Sequence, residues 1–342
     1  AIIDPVGIKS GMNHYDNFLS KSLFELNCQP YIYSNFHSDN SQVITKIFFG
    51  TFFDNKLYQL LNFIKGMLKT CFDCKKNGLD TVIIHVFSTH LMAVMTYLFC
   101  KIFRFKIITI SHDVFSFTKQ DNKCFHNLIY NNWSDAIVVH NNFSKHYLLP
   151  KIDPKIHGKL HVIKHGSFVD LPDKNINFKK ARKLLKFDAE KKYILFFGRL
   201  KSTKRLDLLL RAMPNIDPSI QLIIAGHSGK EDFIKYKEII EELNLSGRLI
   251  LDINYISEEK REWYFKAANC MVLPYDVIFQ SGVLLMSLSY GLPVVATKIP
   301  PFEEIIQNRS SGLLFEKGNA MDLAKQINLL MKDDSLRKEM PK

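Results

Sequence analysis

Short apolar runs return along this chain, each followed by a polar or glycine break and then by a stretch of helical period. Thr81 to Phe87, Lys106 to Ile110, Tyr193 to Phe197, Gln221 to Gly226, Cys270 to Leu273 and Pro293 to Thr297 carry the pattern. Runs that are apolar at nearly every position belong to strands covered on both faces. Strands of that kind alternating with helices build parallel sheets with helical crossovers. The chain has 342 residues, 46% of them hydrophobic, which is enough for two such sheets, each with its own core. Between Ser167 and Asn177, residues Asp170, Pro172 and Asp173 interrupt any period, so this stretch reads as a linker. The expected organisation is one α/β domain over residues 1–170 and a second over 178–342.

Two stretches of the second half carry chemistry. Cys270 to Leu273 reads as a strand closed by Pro274 and Tyr275. Ser281 and Gly282 then open a helix that Gly291 stops. Serine is a good cap, because its hydroxyl accepts from the free N–H groups of the first turn. Gly282 presents no side chain, so an outside group can approach the backbone there. A strand, a loop and a helix start with a bare glycine form an anion site, through unpaired N–H groups and the positive end of the dipole. An ordinary capped helix is the competing reading. In the second stretch, Tyr193 to Phe197 leads into Gly198-Arg199-Leu200-Lys201-Ser202-Thr203-Lys204, and Leu206, Leu208, Leu209 and Met213 mark a helix. Arg199 and Lys204 flank this strand-to-helix turn, where two cations can close on phosphate oxygens. Two solvated loop charges are the alternative.

Together these stretches resemble the C-terminal half of retaining glycosyltransferases of family 4 (group 1). Gly198-Arg199-Leu200 with Lys204 is similar to the family's diphosphate clamp. Ser281-Gly282 through Gly291-Leu-Pro-Val-Val-Ala-Thr resembles its nucleotide-sugar helix and the strand after it. Glu304, before Ile305 and Ile306, stands where the family has Pro-Glu-Ile, and Ser311-Gly312-Leu-Leu-Phe matches its glycine-led strand. The likeness is close from Tyr193 to about Leu330 and looser before. It implies the GT-B fold: two Rossmann-like domains whose parallel sheets face across a cleft. It also implies a donor site made by Arg199, Lys204, Ser281, Gly282 and Val283, with Tyr255 and Ile256 clamping the nucleotide base.

The resemblance assigns roles in the first half as well. Ala1 to Pro5 reads as a strand and Gly7 to Gly11 as a glycine loop. Met12, Tyr15, Leu19 and Leu23 then repeat at helical spacing. The family's loop at this point lies beneath the donor phosphates and beside the acceptor, which makes Gly11 and His14 contacts. Ser111-His112-Asp113 ends the Lys106 to Ile110 strand, on the edge where open α/β sheets bind ligands. It matches the family's histidine facing the transferred sugar. His112 is then expected to hydrogen-bond a sugar hydroxyl or the leaving phosphate, and Asp113 to act as general base. The alternative is a capping aspartate beside a satisfied histidine. Trp133 to His140 reads as a strand with a short helix after it. Lys159 to Gly166 resembles the end of the family's first domain, with His165 and Gly166 at the cleft floor.

One departure stands out. The family usually carries two glutamates, separated by seven residues, at the start and middle of the donor helix. Those positions are Ile278 and Met286 here, and neither side chain can accept a hydrogen bond from ribose or sugar. A changed donor contact is one reading. A degenerate, non-catalytic nucleotide-sugar or glycan binder is another, and an epimerase on the same fold a third.

The remaining features bound the partners. A formal net charge of +12 implies an acidic partner. No nucleic-acid module is present, so the expected partners are a nucleotide-diphosphate sugar and a glycan or lipid-linked acceptor. No cofactor is expected, and no metal, since the cations and the helix dipole would replace it and there is no Asp-x-Asp motif. Ile44 to Gly78 interleaves apolar residues with Lys46, Lys56, Lys65, Lys69, Lys75 and Lys76. It reads as one long helix with a solvated face, or as a basic amphipathic surface on an anionic membrane. His90 to Phe105 reads as a packed helix and not a membrane span. Six scattered cysteines and no visible signal peptide point to the cytoplasm, with Cys71 and Cys74 buried on a helix and not a zinc pair. Met321 to Met340 is expected as one terminal helix.

Overall fold

Each apolar run becomes a strand, and every strand pairing is parallel. The computed structural model describes the chain apart from residues 8–11, 39, 51–55, 116–121, 308–309 and 341–342, and apart from the side chains of 56 and 230–232. The described residues form two units, Ala1–Gly166 and Ser167–Lys342.

In the first unit the strands are β1 (Ile2–Ile3), β2 (Tyr31–Ser34), β3 (Ile44–Ile47), β4 (Thr81–Val86), β5 (Lys106–Ser111), β6 (Ala136–Val139) and β7 (Leu160–Val162). They form one sheet in the order β3-β2-β1-β4-β5-β6-β7. The second unit holds β8 (Lys192–Phe197), β9 (Ile220–Ala225), β10 (Leu249–Asp252), β11 (Cys270–Leu273), β12 (Val294–Thr297) and β13 (Gly312–Phe315). Their order is β10-β9-β8-β11-β12-β13. Both are doubly wound, Rossmann-like sheets. The order turns back beside β1 and β4 in one unit and beside β8 and β11 in the other. Ligands of open α/β sheets sit at the carboxyl ends of the strands at such points.

The two-sided burial read from the apolar runs is visible in β8. Ile194 and Phe196 join one core with Leu222, Ile224 and Val272, while Tyr193 and Leu195 join the opposite one with Ile223, Met271 and Leu273. Cys71 and Cys74 are buried on the Lys56–Lys76 helix, as expected. His90 caps the Leu91–Ile102 helix, its Nδ1 accepting from the Ala93 N–H at 3.0 Å. No helix among the described residues is long and apolar enough to cross a membrane.

Two expected elements differ. Ile44 to Gly78 is not one helix: Ile44–Ile47 is edge strand β3, in register with Tyr31–Ser34, and the helix runs only over Lys56–Lys76. β-branched Ile44, Thr45 and Ile47 favour the pleated edge over a helix. Met321 to Met340 splits into the helices Ala320–Lys332 and Asp334–Glu339. The carboxylate of Asp333 accepts from the Leu336 N–H at 2.9 Å and starts the second helix. The stretch expected as a linker is tied to the second unit. The Phe168 N–H donates to Ser289 Oγ at 2.9 Å, and that of Asp173 to Glu262 Oε1 at 3.1 Å.

Candidate functional site

In the second unit the site begins where β8 stops. The Gly198 N–H donates to the Ala225 carbonyl, and the Gly226 N–H to the Asp252 carbonyl, each at 2.9 Å, so the ends of β8, β9 and β10 are stitched together. Gly198 has φ +97° and Gly226 φ +149°, backbone that side chains rarely tolerate. A turn at Ser202–Lys204 then sends the Lys204 side chain back over Gly198. Its Nζ lies 3.0 Å from where a Gly198 Cβ would stand, and Val283 Cγ2 lies 3.7 Å from the same point. The side-chain space missing at Gly198 is therefore where the Lys204 ammonium and the start of the Gly282–Ser289 helix meet.

Arg205 is held by Asp207 at 2.9 Å, whereas among the described residues Lys204 and the exposed Arg199 have no carboxylate within ion-pair reach. Burial, then the like charge of Lys201, lowers the Lys204 pKa to about 8. Nζ also stands 5.2 Å from the Tyr275 ring centroid. Ser281 Oγ accepts from the Leu284 N–H at 3.2 Å, so the serine is occupied as the helix cap. The N–H groups of Gly282 and Val283 belong to the first turn, where no carbonyl of the helix reaches them. The space above Gly282 is open, with nothing within 4 Å of an added Cβ. Tyr255 is 76% exposed in the loop after β10, and Ile256 packs against the core. Ile278 and Met286 pack in the same apolar core.

In the first unit, histidines stand at the carboxyl ends of four neighbouring strands: His85 on β4, His112 after β5, His140 after β6 and His165 beyond β7. Tyr15 packs against all four, with ring centroids between 4.8 and 5.6 Å from theirs. His112, 6% exposed, stacks on Phe87 at 4.7 Å and 12°. Its Nε2 lies 3.0 Å from His85 Nδ1, and His85 Nε2 lies 2.9 Å from Asp16 Oδ1. Beneath, Tyr97 Oη, Thr109 Oγ1 and Ser134 Oγ are linked by 2.6 Å hydrogen bonds, and Ser111 Oγ meets Tyr130 Oη at 2.8 Å. This buried network holds the end of β5 in place.

Burial, then repulsion from His85, His140 and His165 where these carry protons, pushes the His112 pKa well below the ordinary value. His112 is thus a neutral hydrogen-bonding group and not a cation. Asp113 is half-buried, and its carbonyl accepts from Ser111 Oγ at 3.3 Å. His14 lies on the Met12–Glu25 helix, while Gly11 is outside the described residues. A cavity of about 240 Å³ opens beside the cluster, lined largely by apolar side chains such as Ile3, Phe63, Phe87 and Met92, with Asp4 and His85 in its wall.

Sequence reasoning named His112 but missed Asp16, His85, Tyr15 and His140 as its surroundings. The available signal was a histidine at the end of each successive strand in this half. Asp16 and Tyr15, spaced as ordinary helix residues, gave none.

Two doubly wound domains, the second with a helix start and, among the described residues, an unpaired lysine at its switch point, have the architecture of the GT-B fold. Solved structures agree on the fold. A sucrose-phosphate synthase from Thermosynechococcus elongatus is similar at TM-score 0.80 and 19% identity, over 100% of this chain and 91% of that one. Anabaena HepE in complex with UDP and glucose is similar at TM-score 0.77 and 17% identity, over 99% and 91%. Residues 177–342, just under half of the chain, match the family model for glycosyl transferases group 1, and the chain is similar to that family through its C-terminal half. A Campylobacter jejuni enzyme named N-acetylgalactosamine-N,N'-diacetylbacillosaminyl-diphospho-undecaprenol 4-alpha-N-acetylgalactosaminyltransferase is 29% identical over 43% of this chain and 39% of its own length. The D-inositol 3-phosphate glycosyltransferase of Corynebacterium jeikeium is 29% identical over 52% and 45%. The chain spans less than half the length of these curated relatives.

Proposed function

We propose that the protein is a retaining glycosyltransferase. It moves a sugar from a UDP- or GDP-sugar to a glycan or lipid-linked glycan in surface polysaccharide synthesis. The observation that carries this reading is the Lys204 ammonium, set between Gly198 and the start of the Gly282–Ser289 helix. A departing nucleoside diphosphate gains negative charge as the glycosidic bond breaks. Arg199, Lys204 and the N–H groups of Gly282 and Val283 would take up that charge. Tyr255 and Ile256 would hold the base. In the first unit, neutral His112 would hydrogen-bond a sugar hydroxyl, and Asp113 would accept the proton of the acceptor hydroxyl.

A uridine base is supported by HepE, whose structures contain UDP and UDP-glucose. A lipid-linked acceptor is supported by the diphospho-undecaprenol substrate in the name of the C. jejuni relative. It is also supported by one surface of the first unit. Leu61, Phe72, Leu91 and Ile102 are exposed on the Lys56–Lys76 and Leu91–Ile102 helices, with exposed Lys65, Lys69 and Lys76 between them. Apolar side chains among lysines suit peripheral contact with an anionic membrane.

A second reading draws on Ile278 and Met286. Apolar and packed in the core, they offer the donor no acceptor groups, which suits a non-catalytic sugar-nucleotide binder. Thermal shift with UDP, GDP, CMP, ADP and the corresponding sugar nucleotides tests the donor site, because a ligand of the folded state raises the midpoint. One diphosphate should stabilise the wild type and not the Arg199→Ala, Lys204→Ala double variant. Stabilisation by none removes the clamp. Donor consumption that requires acceptor then supports transfer, turnover without acceptor points to an epimerase, and binding without turnover favours the binder.

A further inference from the structure

Asp16, His85 and His112 stand in series inside the first unit. Asp16 Oδ1 faces His85 Nε2 at 2.9 Å, and His85 Nδ1 faces His112 Nε2 at 3.0 Å. The Asp16 carboxylate stands in ion-pair contact with Nε2, without an aligned hydrogen bond, and its negative charge favours a proton on that nitrogen of His85. The contact at Nδ1 then has two states. If His85 also carries a proton on Nδ1, that N–H donates to a lone pair on His112 Nε2, and the proton of neutral His112 lies on Nδ1. If His85 is neutral, its Nδ1 accepts, and His112 must hold its proton on Nε2.

We infer that Asp16 and His85 are positioning residues. Asp16 keeps His85 an imidazolium whose Nδ1–H fixes His112 as the Nδ1–H tautomer, so that His112 meets its substrate as a hydrogen-bond donor through Nδ1. The inference rests on the proposed function only in taking that substrate to be the sugar. Free histidine favours the opposite tautomer, so the arrangement must be imposed by the neighbours.

The surroundings act consistently. On His85, burial opposes the charge, but the Asp16 carboxylate and then the Asp4 carboxylate outweigh it and raise the pKa. Burial lifts Asp16 itself to about 6, against the pull of His85 and with the push of Asp4. An imidazolium at His85, with His140 and His165 on its other sides, keeps His112 from taking a second proton. Tyr15 presents its ring edge-on to His85 and His112, and burial raises its pKa, so it stays neutral. The arrangement holds at a pH above the Asp16 value and below that of His85.

Imidazole ¹⁵N shifts of the full chain labelled at histidine read the tautomer directly, with His112 identified by the signal lost in His112→Gln. Near about pH 7, wild-type His112 should be neutral with the proton on Nδ1. Asp16→Asn, nearly isosteric, should move that proton to Nε2. Raising the pH of the wild type should do the same without changing the charge of His112, which keeps the test open if the variant fails to fold. An Nε2–H tautomer in the wild type throughout, or an unchanged tautomer in Asp16→Asn, overturns the inference. These spectra need no turnover, so they stand or fall apart from the transferase reading. In a transfer assay, Asp16→Asn should lower kcat about tenfold with donor KM unchanged and move the alkaline limb of the pH profile to lower pH. A change in KM alone would reduce Asp16 to a structural role.

Discussion

The Gly198 carbonyl oxygen occupies the space that a side chain at Gly226 would need, since an added Cβ would stand 2.1 Å from it. Both atoms are backbone, so neither can swing aside. Gly226→Ala must therefore push Gly198 away from β9 or break the Gly226 N–H to Asp252 contact, and it meets φ +149° as well. A destabilisation of about 2 kcal/mol or more is expected by urea unfolding. Nucleoside diphosphate affinity should fall with it, because Gly198 sets the seat of Lys204. An alanine variant of unchanged stability and affinity would mean that this backbone contact is not the constraint.

Lys204 makes diphosphate binding depend on pH. Its pKa of about 8 in the free protein is lowered by burial and then by Lys201, and a bound diphosphate would raise it. Affinity should be constant below about pH 7 and decline as the pH rises through 8 to 9. Binding near pH 8 should draw a fraction of a proton from the buffer. Calorimetry in two buffers of different ionisation enthalpy measures that uptake, and Lys204→Met should abolish it.

Tyr275 tests the same pocket from below. Its ring carries the Lys204 ammonium, but among the described residues its buried hydroxyl has no hydrogen-bond partner. Tyr275→Phe keeps the ring and removes the orphaned group, so stability should hold or rise by up to about 1 kcal/mol. Tyr275→Leu removes the ring face and should weaken diphosphate binding. A clear loss of stability in the phenylalanine variant would assign the hydroxyl a partner.

How far the sequence reached depended on the kind of signal. The buried strands were legible because a two-sided parallel strand is apolar at nearly every position, as Tyr193 to Phe197 and Leu222 to Ala225 are. Gly198, Lys204, Ser281 and Gly282 were legible as a pattern because their chemistry needs them close in sequence to a strand end and a helix start. Asp16 beside His85 was not. The two lie far apart in the chain and meet only because β1 and β4 are neighbours in the sheet. Strand β3 was hidden for a similar reason, since its β-branched Ile44, Thr45 and Ile47 only favour a strand and the pairing with β2 completes it. The break at Asp333 is local, but a single capping aspartate is a faint mark within a long helical period.

The histidine cluster should set the acid limit of the fold. His112, His140 and His165 all have lowered pKa values, through burial first in each case, with His165 near 4. Between the unfolded value of about 6.5 and these lower values, the unfolded chain takes protons that the native state refuses. Stability must then fall as the pH drops through that window. Asp16 acts in the opposite sense. With its pKa raised to about 6, it stays protonated in the native state where the unfolded carboxyl ionises, so its contribution grows as the pH falls from about 6 toward 4. Three histidines against one carboxyl leave a net loss. Urea unfolding at pH 7, 6, 5 and 4 should give a midpoint that declines below about pH 6.5. His165→Asn should shallow the decline, because one refused proton is gone. Asp16→Asn should steepen it, because the offsetting carboxyl is gone. Parallel curves for all three proteins would mean that the cluster does not govern the acid limb.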